Sequence, residues 1–88
     1  MLTLPDELIH ARANACLADL TAKIAAEPAP VQVDAAALQR FDSSALAVLL
    51  ELRRTCSRAN KTMVVRGLPN RLRDLAVLYG IEGLLPSA

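Results

Sequence analysis

The residues best placed to do chemistry are Asp42, Ser43 and Ser44, which stand directly before an uninterrupted apolar run at residues 45–50. The run predicts a helix, so the two hydroxyls would lie at its amino-terminal end beside a carboxylate. A helix amino terminus has unpaired N–H groups and a partial positive charge, so it tolerates a phosphate. The pattern therefore favours a serine phosphoswitch or a docking loop over an active site.

The rest of the sequence offers little for catalysis. His10 is the single histidine and falls on the polar side of a predicted helix. Ser43 and Ser44 have no base partner beyond Asp42, so a Ser–His–Asp arrangement is not supported. With only three glycines the chain has no phosphate-cradling loop of the GxxxxGK[ST] or GxGxxG type. An enzyme is not expected, and neither is a cofactor.

The two cysteines, Cys16 and Cys56, stand alone, without CxxC or Cys/His spacing. A zinc site is therefore not expected, and both thiols are predicted to be small buried groups in a reduced compartment. The first residues lack the basic and apolar regions of a signal peptide. The apolar run at residues 45–50 is far too short to span a membrane. These features predict a cytoplasmic protein.

Charge is distributed unevenly along the chain, although the net charge is only +1. Residues 1–50 carry three basic and six acidic groups, whereas residues 51–88 carry seven basic and three acidic groups. The basic half is either a docking surface for an acidic partner or a solvated polar face. Nucleic-acid binding is not expected, because aromatic residues make up only 2% of the chain and the net charge is small.

The hydrophobic pattern predicts alternating strands and helices around the Asp42–Ser44 loop. The predicted strands cover residues 1–4, 31–33 and 62–65. The predicted helices begin near residues 5, 43 and 69, and the first of them ends at the break in residues 27–30. Strands separated by helices indicate one α/β domain with a small parallel or mixed sheet and crossover helices. A length of 88 residues fits one domain.

Apolar stripes show which helix faces should be buried. The first helix has such a stripe at Ile9, Ala13, Cys16, Leu17, Leu20 and Ile24. The third has one at Leu72, Leu75, Ala76 and Tyr79. Gly80 is predicted to end the third helix in a left-handed conformation, with Ile81 as the accompanying hydrophobic contact. The second helix is apolar on nearly every side in its first half, so either the domain or a partner must cover it.

The segment Phe41-Asp42-Ser43-Ser44-Ala45-Leu46, following a strand that ends near Asp34, resembles the STAS domain family. That family has a D-[ST]-x-G-L segment at the start of its second helix. Asp42, Ser43 and Leu46 match it, and Ala45 replaces the usual glycine, which reduces backbone freedom. The resemblance implies a STAS-like α/β fold over residues 1–88, with a small mixed sheet flanked by three helices.

STAS domains usually begin with a β-hairpin, and its first strand has no counterpart here. Residues 1–4 would correspond to the second strand of that hairpin. A sheet edge without its neighbour exposes unpaired backbone groups and invites pairing with another chain. The resemblance therefore also suggests a homodimer through this strand edge.

The end of the chain, LRDLAVLYGIEGLLP at residues 72–86, is similar to MlaB-like STAS subunits of phospholipid-transport ABC systems. This similarity implies a non-enzymatic accessory subunit that binds the transporter ATPase, and indirectly the permease, peripheral to the inner membrane. No direct membrane insertion is expected. The implied docking residues are Asp42, Ser43, Ser44, Leu46 and Ala47, with Arg53 or Arg54 at the rim.

Two other interpretations of the same residues stay open. Ser43 could act only as a helix cap, and Leu46 only as a core residue. Alternatively, the resemblance to anti-sigma-factor antagonists implies a regulatory switch in which a kinase phosphorylates Ser43, with Ser44 as a second acceptor.

Overall fold

The computed structural model describes residues 1–87 and consists of short strands alternating with helices. The strands are β1 (Leu2–Thr3), β2 (Glu7–Leu8), β3 (Val31–Asp34), β4 (Arg40–Phe41) and β5 (Met63–Arg66). The helices are α1 (His10–Ile24), α2 (Ser44–Arg58) and α3 (Asn70–Leu78), followed by a 3₁₀ helix at Glu82–Leu84. The predicted α/β fold with three helices is confirmed.

The main sheet has three strands in the order β1-β3-β5, and both pairings are parallel rather than mixed. Val33 stands opposite Leu2 on one side and Val65 on the other. A separate two-stranded sheet joins β2 and β4, again in parallel. Beyond β5, Ser87 forms an isolated parallel bridge to Val65. The parallel arrangement follows from the helical crossovers that connect the strands of the main sheet.

One face of the main sheet is buried and the other is open, as expected from the alternation of side chains along a strand. The buried side chains are Leu2, Val31, Val33, Met63 and Val65. They share a core with leucines of α1 and α2, which pack along each other. Thr3, Gln32 and Arg66 are exposed. The domain is therefore a two-layer structure whose helices meet at one end near Asp42.

The prediction that the first helix begins at residue 5 is wrong, because α1 begins only at His10. The preceding backbone is used in strand pairing: the Asp6 carbonyl accepts hydrogen bonds from the N–H groups of Gln39 (2.8 Å) and Arg40 (3.0 Å). Leu8, in β2, is fully buried. The predicted stripe of α1 faces the core except at Ile9, which precedes the helix as its N-cap. The core-facing residues are Ala13, Cys16, Leu17, Leu20 and Ile24.

The end of α3 confirms the predicted cap but corrects the predicted stripe. Gly80 has a φ of +70°, and the Ile81 N–H donates to the Ala76 carbonyl at 2.9 Å, as in a Schellman motif. Leu72 and Ala76 are buried, but Tyr79 is 56% exposed. The helix ends at Leu78 with Tyr79 as its C-cap, and the turn brings Ile81 back to pack against the core in place of Tyr79.

The domain itself covers most of α2. Its buried residues are Ala45, Leu46, Val48, Leu49, Leu52 and Cys56. Ala47 is exposed, and Leu50 is half-buried. Of the two free cysteines, Cys56 is buried as predicted and Cys16 only half-buried. The face of α2 that the domain leaves exposed begins at Ser43 and includes Ala47.

The carboxyl end of α1 is held by a lysine from a distant turn. The ammonium group of Lys61 donates to the carbonyls of Ile24 (2.9 Å), Ala25 (3.1 Å) and Glu27 (2.6 Å). The last carbonyls of a helix have no partners within the helix, and a cation there also interacts favourably with the helix dipole. Lys61 thus joins the turn after α2 to the end of α1.

Candidate functional site

Asp42 lies between the amino ends of two helices. Its Oδ1 accepts a hydrogen bond from the Ser44 N–H at 2.8 Å, at the start of α2. Its Oδ2 accepts one from the His10 N–H at 3.1 Å, at the start of α1. Each helix begins with N–H groups that lack intrahelical partners, and a carboxylate satisfies them well. Asp42 therefore fixes the two helix starts relative to each other.

The same hydrogen bonds keep Asp42 charged. The N–H of Ser44, and then that of His10, lower the pKa of the Asp42 carboxyl below its ordinary value of 3.8. Both donors stabilise the carboxylate rather than the acid. A carboxylate held in this way is a weak base, which favours a positioning role for Asp42.

This depressed pKa predicts an acid-sensitive contribution to folding. The contribution is present above the unfolded pKa near 3.8 and is lost as the pH falls through the lower folded value. We expect wild type to be more stable than Asp42→Asn at pH 7, and the difference to shrink below about pH 4. Urea unfolding of both proteins from pH 7 to pH 3 measures it. A difference that stays constant across this range would contradict the role of the carboxylate charge.

Ser43 is exposed and does not cap α2 with its side chain. It occupies the N-cap position with φ −62° and ψ −16°, but its hydroxyl makes no capping hydrogen bond. Its carbonyl accepts the N–H groups of Leu46 (3.1 Å) and Ala47 (3.3 Å). Ser43 therefore stands at the N-cap position as expected, but Asp42 rather than Ser43 supplies the side-chain acceptor. The hydroxyl of Ser43 is left at the surface.

The other predicted docking residues fall into two groups. Ser44 is half-buried and Ala47 is exposed, so both lie beside Ser43 at the surface. Leu46 is only 2% exposed and belongs to the core, in agreement with the structural interpretation of this residue. Its burial removes it from the surface that a partner could contact.

The two predicted rim arginines lie farther along α2. They follow Ser43 by ten and eleven residues, which corresponds to about 15 Å along a helix axis. Arg54 pairs with Glu51 at 3.0 Å. Arg53 is half-buried and lines a small cavity near the end of the helix. The structure therefore does not bring either guanidinium next to Ser43. The two arginines also have different surroundings.

Several charged side chains near Asp42 were not predicted as site residues. The Arg71 guanidinium lies 5.5 Å from the centre of the Phe41 ring, which brings the start of α3 against the residue preceding Asp42. On the other side, Glu7 pairs with both Arg12 and Arg40 at 3.5 Å. The Arg71–Phe41 and Glu7–Arg40 contacts join residues about thirty positions apart, so no local sequence signal could have identified them.

In residues 1–87 no group of histidine, cysteine, aspartate and glutamate side chains is arranged to hold a metal ion. Over the same residues no helix is long and apolar enough to cross a membrane.

The sequence was also compared with known proteins. No curated protein matches it. A family model described as the Mlab STAS domain matches residues 1–86. The matched range contains both the Phe41–Leu46 segment and the tail up to Pro86. The chain therefore belongs to the MlaB-type STAS domain family.

Proposed function

We propose that this domain is a non-enzymatic accessory subunit that binds the ATPase of an Mla-type phospholipid ABC transporter. It would act on the cytoplasmic side of the inner membrane, contact the permease only indirectly, and support outer-membrane lipid asymmetry. Membership of the MlaB-type STAS family supports an accessory or regulatory role. The family is generally non-catalytic, which agrees with the absence of a convergent catalytic group in the sequence.

The observation that carries the proposal is the exposed hydroxyl of Ser43 on a rigid support. We define the Ser43 surface as Ser43, Ser44 and Ala47. Asp42 anchors the start of α2 to the start of α1, so the backbone at Ser43 is held at two helix ends. A pre-organised surface loses little conformational freedom on binding and suits a protein partner. We infer that Asp42 positions this surface.

The proposal is tested by recovering the partner from the native cell. The complete protein serves as bait in a native lysate, and mass spectrometry identifies the proteins that remain bound. We expect an ABC ATPase together with its permease. Recovery of a serine kinase or a sigma-regulatory protein without an ATPase would reject the transporter assignment.

The second candidate function is an anti-sigma-factor antagonist controlled by phosphorylation of Ser43. The free, exposed hydroxyl favours Ser43 as the acceptor over Ser44, which is half-buried beside Asp42. A phosphate would add a charge of about −1.5 to −2 next to the Asp42 carboxylate. Repulsion and desolvation would then oppose partner binding. A kinase recovered in the same experiment would favour this function.

We also propose that the sheet edge at β1 can pair with a second copy of the chain. In residues 1–87 β1 pairs only with β3, so its other edge has no strand neighbour. Light scattering at high protein concentration tests this proposal. A mass that stays monomeric would count against the homodimer.

A further inference from the structure

A small cavity with a basic lining lies at the opposite end of α2 from Ser43. It has a volume of about 160 Å³. Its walls come from the end of α2, the following turn, β5 and the tail. The lining residues are Arg53, Ser57, Lys61, Thr62, Met63, Gly83 and Pro86. Two of them are cations, two carry hydroxyls, and none is acidic.

Arg53, unlike the adjacent Arg54, has no carboxylate partner in residues 1–87. Arg54 pairs with Glu51, and Arg12 and Arg40 share Glu7. In residues 1–87 no carboxylate lies within ion-pair distance of Arg53, although that side chain is half-buried. Since no buried side-chain nitrogen in residues 1–87 lacks a partner, the Arg53 guanidinium is still reached by solvent, and its planar N–H groups are free to match the oxygens of an oxyanion. Its position on the cavity wall therefore points to a ligand.

Lys61 adds positive charge that no carboxylate of the cavity balances. Its ammonium group donates to three carbonyls at the end of α1, and these acceptors are neutral. The lysine is therefore fixed in place while its charge remains available to attract an anion at longer range. Attraction of this kind is strongest where surrounding protein excludes part of the solvent.

The size of the cavity limits the ligand. Sites for drug-sized molecules usually measure about 300–1,000 Å³. A volume of about 160 Å³ is too small for a whole nucleotide but admits a small ion with a few waters. The hydroxyls of Ser57 and Thr62 can donate hydrogen bonds to such an ion. We propose that this cavity binds a small oxyanion, specifically inorganic phosphate, through Arg53 with support from the Lys61 charge.

The test is an amide NMR titration of the full chain with inorganic phosphate at constant ionic strength, which keeps charge screening fixed. We expect saturable shifts at the amides of Arg53, Ser57, Thr62 and Gly83. Arg53→Met should weaken phosphate binding by about tenfold or more, since a charge-assisted hydrogen bond is lost. Arg54→Met is the matched control, because Arg54 is adjacent but already paired with Glu51. Its affinity should stay within about twofold of wild type.

A second variant keeps the proposal testable if Arg53→Met folds poorly. Ser57→Asp places a carboxylate on the cavity wall and should abolish phosphate binding without removing any cation. Shifts that do not saturate, or equal effects of Arg53→Met and Arg54→Met, would overturn the site. Acetate is titrated in parallel as a carboxylate probe. Acetate binding as tight as phosphate binding would overturn the assignment to phosphate.

Discussion

Replacing Ser43 with tryptophan is expected to weaken binding of the transporter ATPase by at least about 100-fold, which corresponds to roughly 2.7 kcal/mol. The side chain is exposed and makes no capping hydrogen bond, so the substitution should leave the free energy of unfolding within about 0.5 kcal/mol. A large ring at the centre of a close-packed contact would separate the two surfaces and admit water. Calorimetric titration of the purified ATPase with each variant measures the effect.

Two control variants make this expectation specific. Ser43→Thr keeps the hydroxyl and should bind normally. Ala22→Trp adds the same ring to an exposed position on α1, twelve residues beyond its start at His10, and should also bind normally. Normal binding by Ser43→Trp, or equal losses in Ser43→Trp and Ala22→Trp, would remove Ser43 from the interface.

Replacing Lys61 with methionine is expected to lower the free energy of unfolding by about 2 kcal/mol. Methionine keeps an unbranched apolar side chain but loses all three hydrogen bonds to the Ile24, Ala25 and Glu27 carbonyls. Each bond from a charged donor is worth about 1.5–3 kcal/mol, and the released carbonyls recover part of this from water. For a domain of this length the melting temperature should fall by roughly 8–16 °C.

Lys23→Met is the comparison for this effect. Lys23 pairs with Asp19 at 3.3 Å on the exposed face of α1, and such pairs contribute only about 0.3–0.5 kcal/mol. Thermal and urea unfolding of both variants give the two differences. Similar losses in the two proteins would show that Lys61 acts as an ordinary surface lysine rather than as the link between α1 and the turn after α2.

The parts of the fold that local patterns control could be predicted from the sequence. The apolar run after Ser44 predicted the start of α2 to within one residue, and β-branched residues predicted β3 and β5. Gly80 predicted the end of α3, since a left-handed residue at that point favours glycine. The position of Ser43 beside Asp42 at the start of α2 followed from the same local signals, whereas the exposure of its hydroxyl did not.

The parts that depend on contacts between distant residues could not be predicted. β2 is only two residues long and exists because β4 lies beside it, so the start of α1 was placed too early. The hydrogen bond from His10 to Asp42 spans 32 positions, and those from Lys61 span 34 to 37. Neither residue type nor spacing signals such partners. The exposure of Tyr79 was not predicted because α3 ends in a Schellman turn. This turn, rather than the helical period, packs Ile81 against the core and leaves Tyr79 exposed.

Amide hydrogen exchange of the domain, alone and bound to the ATPase, tests the central claim most directly. If the Ser43 surface is the docking site, binding should slow exchange at residues 43–47 and leave the exposed face of α1 unchanged. Slower exchange confined to α1, to the β1 edge or to the tail, with residues 43–47 unaffected, would contradict the claim.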